Sequence, residues 1–345
     1  MRPAALGLAA AALTLGVGAA AGSRPERPSI PADTLPRPLP REAPLGVEVY
    51  ASTWGASEAV VELGRRLFFD PRLSRDGSVA CASCHRPELG FADDRPRSVG
   101  VDGEETRHHA PSLLNKALST DLHWDGAAPT LEEQVLLPIS SPTEMGLPLE
   151  EALERLASDT ALLADFEEAL GGPPEAERLA AALAAFVRRL VAGDSPVDRF
   201  RAGVSQELDA AERAGLWLYE GRGGCWRCHG GPNFSDEGFH NTGVGVTNGV
   251  PEAGREAVTG SAEDRGAFRT PGLRHLTRTA PYMHDGSLAT LREVVEFYRR
   301  GGNPNPSLSS RLQPLDLTDE DVEHLVAFLE ALSRQGPQRD ERRSQ

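Results

Sequence analysis

The chain has 345 residues, with 51 acidic and 36 basic side chains and a formal net charge of -15. At roughly 150 residues per domain this length suggests two domains, and the acidic balance disfavours nucleic acid as a partner, because phosphate binding needs clustered Lys and Arg. Hydrophobic residues make up 39% and charged residues 25%, which is typical of a globular protein rather than of a disordered chain or a polytopic membrane protein.

The first 22 residues have the layout of a secretory signal peptide. An Arg precedes an apolar run from Leu6 to Val17, and small residues follow the run. Because this run is short for a bilayer span, we expect cleavage rather than anchoring, with no membrane span left afterwards. Residues 23–50 are rich in proline and predict an extended leader. These features predict export to the periplasm.

All four cysteines lie in two C-x-x-C-H units, the attachment signal for c-type haem. In each unit two thioethers hold the porphyrin, and the following His can ligate the iron. The units are Cys81, Cys84 and His85, and then Cys225, Cys228 and His229. A four-cysteine zinc ribbon spaces its pairs by about 15 to 20 residues, far closer than here, and a thioredoxin-like dithiol would not require the histidines. The sequence predicts two covalently bound c-type haems.

The hydrophobic pattern predicts a mainly α fold. Helices are expected at about 57–70, 149–168, 175–191, 209–219 and 318–333, with Gly and Pro concentrated in the loops. An apolar stripe at helical spacing is interpreted as core rather than as a cofactor contact; it consists of Leu179, Leu183, Phe186 and Leu190. No sustained alternation predicts a strand.

An internal repeat relates two parts of the chain. Residues 110–135 align without a gap with residues 270–295. Each copy ends in Asp-Gly followed by a capping box, formed by Thr130 with Glu133 and by Thr290 with Glu293. We therefore expect two homologous haem domains from an internal duplication, at 51–200 and 201–335, with a polar tail at 336–345.

The repeat also bears on the iron ligands. Leu291, Val294, Val295 and Tyr298 share one helical face, and the repeat places Tyr298 opposite Pro138. If this face covers the haem, one domain offers a phenol to the iron and the other offers a ring with no donor atom. An ordinary core tyrosine is the alternative, and the spacing alone leaves it open.

Several stretches between Gly64 and Arg300 are distinctive. They are GRRLFFDPRLSRDGSVACASCH, HHAPSLLN, LHWDGAAPTLEEQ, SPTEMG, GCWRCHGGPNFSD, FHNTGVG and TAPYMHDGSLATLREVVEFYRRGG. Together they resemble the bacterial di-haem cytochrome c peroxidase family, and within it the MauG-like subgroup. The resemblance implies two cytochrome-c-like, mainly helical domains, with a peroxide-reacting haem in the first and an electron-transferring haem in the second.

The resemblance also implies roles for single residues. His85 is then the proximal ligand of the peroxidatic haem, and its open side is lined by Gln134, Pro138 and Glu144. Glu144 is the implied acid-base group, because peroxide binding needs loss of a proton and O–O cleavage needs its delivery to the leaving oxygen. Trp124 matches a tryptophan that couples the two haems electronically, with plain aromatic core as the alternative.

Two positions separate the subgroups. In conventional members a Met ligates the second haem at the position where this chain has Tyr298. A tyrosinate supplies an anionic oxygen, which lowers the reduction potential of the haem relative to the thioether of Met. His284 is an alternative donor, although the motif places it structurally. Conventional members also cap the first iron with a His, whose equivalent here is Val101, so the first haem is expected to be open. His108 and His109 are alternative caps, with packing near the domain interface as the more ordinary role.

The family's interdomain calcium site is a further implication. It uses an Asn side chain and backbone oxygens that match Thr279 and Pro281. His109 stands at the Asn position, and neutral imidazole is a poor ligand for a hard cation. Calcium therefore remains an open alternative.

Three functions are consistent with these features. The first is a MauG-like enzyme that reacts with hydrogen peroxide at the N-terminal haem and passes oxidising equivalents via the second haem to a partner protein. The second is a cytochrome c peroxidase that takes electrons from a small cytochrome or copper protein. The third is a non-catalytic electron carrier or redox sensor. The combination of Tyr298, Pro138, Glu144 and Val101 favours the first.

Overall fold

The computed structural model describes residues 35 and 39–334, and these are mainly helical, as the sequence predicts. The helices are α1 (Glu58–Phe68), α2 (Cys81–Cys84), α3 (Leu131–Gln134), α4 (Leu137–Ser140), α5 (Leu149–Ala157), α6 (Thr160–Leu170), α7 (Ala176–Arg188), α8 (Pro196–Arg201), α9 (Ala210–Glu220), α10 (Glu256–Thr259), α11 (Leu291–Arg299) and α12 (Asp319–Ser333). One small antiparallel sheet pairs β1 (Phe239–His240) with β2 (Phe268–Arg269). The proposed signal peptide at 1–22, most of the leader before residue 39 and the tail at 336–345 lie outside the described residues.

Side-chain caps set the beginnings of several predicted helices. The Ser57 hydroxyl accepts the N–H of Val60 at the start of α1, and Asp209 and Thr318 cap α9 and α12 in the same way. The helices expected from about 57, 209 and 318 are therefore confirmed. The predicted stripe, which begins on α7 and ends just after it at Leu190, is also confirmed as buried core.

The single helix expected over 149–168 is wrong. The chain instead forms α5 and α6, with a boundary at Ser158 and Asp159. The Asp159 carboxylate accepts the N–H groups of Ala161 and Leu162 at 3.0 and 3.1 Å, which caps the start of a new helix. A side-chain cap thus overrides the continuous apolar pattern.

In each half of the chain, the helix before the C-x-x-C-H motif crosses a later helix at a glycine. Gly64 of α1 lies against the backbone carbonyl of Ala182 in α7, and Gly215 of α9 lies against that of His324 in α12. A Cβ at either glycine would overlap the carbonyl oxygen, so only glycine allows these close approaches. The two crossings place the two haem motifs at equivalent points of their halves.

The backbone repeats the duplication seen in the sequence. Leu122 pairs with Ala128 in an isolated antiparallel bridge, and Tyr282 pairs with Leu288 in an equivalent one. Left-handed residues recur at matching places; they are Asn115 and His275, His123 and Met283, and Gly126 and Gly286. The proposed domain boundaries, 51–200 and 201–335, remain a prediction.

Buried polar contacts join the two halves, and all the described residues belong to one compact unit. The Asn115 amide donates to Asn233 at 3.2 Å, and the backbone N–H of His109 donates to the His284 carbonyl at 2.8 Å. Between residues 39 and 334, none of the helices combines the length and the apolar character needed to cross a membrane.

Candidate active site

The first haem motif lies on α2 and the residue that follows it. Nδ1 of His85 lies 3.1 Å from the carbonyl oxygen of Phe91. Because a carbonyl only accepts, Nδ1 carries the proton and Nε2 keeps a free lone pair. Burial lowers the pKa of His85 to about 4, so the imidazole is neutral at neutral pH. A neutral imidazole oriented by a carbonyl is the form that ligates a metal ion.

The second motif repeats this arrangement. Nδ1 of His229 lies 3.0 Å from the carbonyl oxygen of Phe234, and burial lowers the pKa of this imidazole as well. The Tyr219 hydroxyl donates to the backbone carbonyl of His229. The four cysteines of the motifs all lie among the described residues, and no disulfide joins them. Two thiols and one neutral imidazole in each half fit the requirements of a c-type haem.

The predicted open side of the first haem surrounds a break in a helix. α3 ends at Gln134 and α4 begins at Leu137, because Pro138 has no N–H to donate to the Gln134 carbonyl and its ring would clash with it. The side-chain oxygen of Gln134 is buried and has no hydrogen-bond partner among the described residues. In the second half, α11 runs unbroken and carries Tyr298 at the place of Pro138.

Glu144 lies in the turn that follows α4. Its backbone carbonyl accepts the N–H of the fully buried Val101 at 2.8 Å. Burial raises the pKa of Glu144, and the nearby His123 and the Ser141 hydroxyl only partly oppose this rise. Burial also raises the pKa of Cys81 to about 12, and the charge of Glu144 adds to that rise. A carboxyl that holds its proton to higher pH than usual therefore lies close to the first haem motif.

Tyr298 lies in the last turn of α11, close to the second haem motif. Burial raises the pKa of its phenol beyond the usual range, and Cys228 and Cys225 add to the rise. Its ring packs edge-on against Phe297, with 5.2 Å between the ring centroids. In the absence of a cation the phenol therefore keeps its proton, and a metal ion would be needed to stabilise the phenolate.

Trp124 lies where the two halves meet. Its indole N–H donates to the backbone carbonyl of His109 in the first half at 2.7 Å. Its own carbonyl accepts the N–H of Arg269 in the second half at 2.8 Å. Its ring contacts His284 edge-on, with 6.3 Å between centroids. The side chain is buried.

His108 and His109 lie at the same junction. Nδ1 of His109 lies 2.9 Å from the carbonyl oxygen of Arg95, and its ring is also hydrogen-bonded to the backbone of Thr279. An imidazole thus engages one of the backbone groups expected to bind calcium, beside Pro281. An imidazole with backbone oxygens does not fit a hard cation such as calcium.

Sequence reasoning missed one residue at this junction. Glu252 lies in a loop of the second half, and its carboxylate oxygens are 3.5 Å from Nε2 of His108 and 3.7 Å from Nε2 of His284. No motif marks this glutamate. Its position depends on contacts between segments that are far apart in the chain.

A duplicated helical fold in which each half positions one C-x-x-C-H motif defines a di-haem protein of the cytochrome c type. The chain belongs to the di-haem cytochrome c peroxidase family. The family model described as di-haem cytochrome c peroxidase matches residues 58–206. The family and the mainly helical, cytochrome-c-like fold expected from the sequence are therefore confirmed.

Some relatives of the chain are named MauG and others are named cytochrome c peroxidase. Methylamine utilization protein MauG of Methylorubrum extorquens is 41% identical over 274 residues, covering 79% of this chain and 77% of that protein. Cytochrome c551 peroxidase of Nitrosomonas europaea is 34% identical over 282 residues, covering 81% of each chain. The chain is a haem-dependent, peroxidase-type oxidoreductase. This assignment favours the two enzymatic functions over a non-catalytic electron carrier.

Solved structures agree with this assignment. The crystal structure of a MauG-like protein associated with microbial copper homeostasis has a TM-score of 0.76 at 35% identity, covering 86% of this chain and 94% of that one. The di-haem peroxidase BthA of Burkholderia thailandensis has a TM-score of 0.71 at 24% identity, covering 81% and 87%, and supports the fold.

Proposed function

We propose that this protein is a MauG-like enzyme, which reacts with hydrogen peroxide at its first haem site and passes oxidising equivalents by way of the second to a partner protein. The pairing of Tyr298 with Pro138 carries the proposal. In the second half α11 offers a phenol, whereas the equivalent segment of the first half, formed by α3 and α4, offers a side chain without a donor atom. One iron would then be capped and the other open to peroxide.

The two motifs would hold the cofactors. Cys81, Cys84 and His85 would hold the first haem, and Cys225, Cys228 and His229 the second. The haems supply the one-electron chemistry that peroxide reduction needs. Tyr298 would provide the second iron with an anionic oxygen ligand.

Glu144 is the proposed acid-base group. It would take a proton from hydrogen peroxide as the peroxide binds and return it to the oxygen that leaves as water. Its raised pKa suits both tasks, because the carboxylate holds an acquired proton more firmly than an ordinary glutamate does and can keep it until it is returned. The unpartnered oxygen of Gln134 would accept a hydrogen bond from the peroxide O–H. Pro138 offers no atom that could compete for the iron.

The residues before the described part support export. The apolar run and small residues within 1–22 have the pattern of a cleaved signal peptide. We therefore place the protein in the periplasm, where its redox partner protein would also be found.

Substitution of Glu144 tests the proposed chemistry. In the holoprotein, Glu144→Gln should slow the reaction with peroxide by about 10²- to 10⁴-fold, the usual contribution of an acid-base group. Stopped-flow absorbance of the haems measures this rate. Glu150→Gln, an exposed glutamate at the start of α5, is the matched control and should leave the rate unchanged. An unchanged rate in Glu144→Gln would remove Glu144 from the acid-base role.

A conventional cytochrome c peroxidase is the second candidate, favoured by the name of the 34% identical cytochrome c551 peroxidase. The two functions differ in the state that reacts with peroxide. If the fully oxidised protein reacts with peroxide as fast as the protein in which one haem has been reduced beforehand, the MauG-like function is supported. If the reaction needs one haem to be reduced beforehand, and turnover follows with a reduced c-type cytochrome, the second candidate is correct.

A further inference from the structure

A cluster of one carboxylate and two imidazoles crosses the junction between the halves. Glu252 and His284 come from the second half and His108 from the first. The two Nε2 atoms lie 3.5 and 3.7 Å from different oxygens of the Glu252 carboxylate. We refer to these three residues as the Glu252 cluster. The peroxide chemistry described above assigns it no role.

The imidazoles of the cluster have little else to interact with. They are only 7% and 4% exposed, for His108 and His284 respectively. Both ring nitrogens of His108 and Nε2 of His284 lack any hydrogen-bond partner within the described residues. Glu252 is thus the anionic group that faces both rings. Interaction with His284 lowers the pKa of Glu252 to about 2, so this carboxylate stays charged.

His284 is held between this carboxylate and Trp124. One face of its ring stacks on Phe268, with 3.6 Å between centroids and 15° between the ring planes. The ring also meets the Trp124 indole edge-on at 6.3 Å. The contacts therefore run without interruption from the carboxylate of Glu252 through an imidazole to the indole.

The hydrogen bond of Trp124 determines what its oxidation would produce. The indole N–H donates to the backbone carbonyl of His109, and a backbone carbonyl does not take up a proton at any ordinary pH. Loss of one electron would leave the proton on the indole nitrogen, so the oxidised ring would be a cation. A buried cation is unfavourable unless an opposite charge lies near it.

We propose that Glu252 supplies this opposite charge and that His284, stacked on Phe268, positions it beside the indole. The inference rests on the proposed function, in which oxidising equivalents from peroxide pass from the first haem site to the second, and it takes Trp124 as the route between them. Trp124 would first lose one electron to the peroxide-oxidised first haem site. It would then regain one electron from the second haem site. No atom is transferred. Glu252 acts through His284 and is a positioning residue rather than a catalytic one.

The test separates the reaction with peroxide from the later transfer step. One equivalent of hydrogen peroxide is mixed with the fully oxidised holoprotein, and the spectral changes of the two haems are followed by stopped flow. Glu252→Gln should slow the spectral change at the second haem by about tenfold. This is the effect expected from losing the attraction between the carboxylate and the oxidised indole across roughly 10 Å at intermediate dielectric. The initial bimolecular reaction should keep its rate, because Glu144 serves that step.

Three further variants make the result specific. Glu252→Asp keeps the charge and should restore most of the rate. His108→Phe removes an imidazole but leaves the carboxylate, so the transfer step should keep its rate, whereas a merely structural role for the cluster predicts that it slows. Glu256→Gln is the matched control, because Glu256 lies four residues away and pairs with Arg265 at 2.7 Å.

Trp124→Phe distinguishes failure of the Glu252 role from failure of the route through Trp124, while the proposed function itself is tested by whether the fully oxidised wild-type protein reacts with peroxide. If Trp124→Phe slows the spectral change at the second haem and Glu252→Gln does not, the electrostatic role of Glu252 is wrong and the route through Trp124 stands. If Trp124→Phe has no effect on the second haem, the route itself is wrong, and the role of Glu252 is withdrawn with it.

Discussion

Arg274 donates two hydrogen bonds to the carboxylate of Asp198, at 2.7 and 2.8 Å, and so ties the second half of the chain to α8. The two side chains are only 3% and 4% exposed. The backbone N–H and the hydroxyl of Ser195 donate to the same carboxylate at 2.8 and 2.7 Å. The carboxylate therefore has partners for its lone pairs despite its burial.

Removal of the arginine should be strongly destabilising. Arg274→Met leaves a buried carboxylate without a counter-charge, and the free energy of unfolding should fall by about 3–5 kcal/mol. Denaturant titration of the holoprotein measures this change. Arg66→Met is the control, because Arg66 pairs with Asp165 at the surface and such pairs contribute about 0–1 kcal/mol. Equal effects of the two substitutions would contradict the importance of the buried pair.

The same pair predicts a pH dependence of stability. Burial by itself would raise the pKa of Asp198, but the hydrogen bonds and charge of Arg274 hold it below its usual value. The contribution of the ionised carboxylate is thus complete above the unfolded pKa of about 3.9 and is lost as the pH falls through the lower folded pKa. The difference in unfolding free energy between wild type and Asp198→Asn should shrink over this acidic range. A difference that is constant with pH would argue against the lowered pKa.

The two helix crossings should not tolerate a methyl group. Gly64→Ala and Gly215→Ala each place a Cβ against a backbone carbonyl, and each should cost about 1–3 kcal/mol of stability through overpacking. Thermal unfolding, followed by the absorbance of the haems, measures the loss. Gly55→Ala is the control, since a Cβ at Gly55 meets no atom within 4 Å. Unfolding at wild-type temperature in both variants would show that the helices can move apart at little cost.

Tyr298 should determine the electronic state of the second haem. Tyr298→Phe removes the proposed oxygen ligand, so the low-spin signal of this haem in the electron paramagnetic resonance spectrum of the resting protein should be lost or replaced. Tyr282→Phe is the control, because its hydroxyl donates to the carbonyl of Leu276 at 2.9 Å. An unchanged spectrum in Tyr298→Phe would show that Tyr298 is an ordinary core residue.

The reaction with peroxide should follow the ionisation of Glu144. Burial raises the pKa of Glu144, and only its deprotonated form can take a proton from peroxide. The bimolecular rate should therefore rise as the pH increases through this raised pKa. In Glu144→Gln the rise should disappear. A rise that persists in the variant would assign the titration to another group, and His123 is then the nearest choice.

The sequence by itself predicted the features that depend on residues close together in the chain. A haem motif needs only five consecutive residues, and a cap such as Ser57 or Thr318 acts within its own first helical turn. The boundary at Asp159 belongs to this class as well, because Asp is a common N-cap. The apolar pattern continues on both sides of Asp159, and for that reason one long helix over 149–168 was wrongly predicted.

The tertiary structure alone decided how distant segments meet. Asp198 and Arg274 are far apart in the sequence, as are Trp124, Glu252 and His284, and no local pattern marks any of these pairings. They depend on the packing of one duplicated half against the other, where burial selects partners by charge and shape. Local sequence thus determined where the two C-x-x-C-H motifs lie, whereas long-range packing decided which side chains surround Trp124.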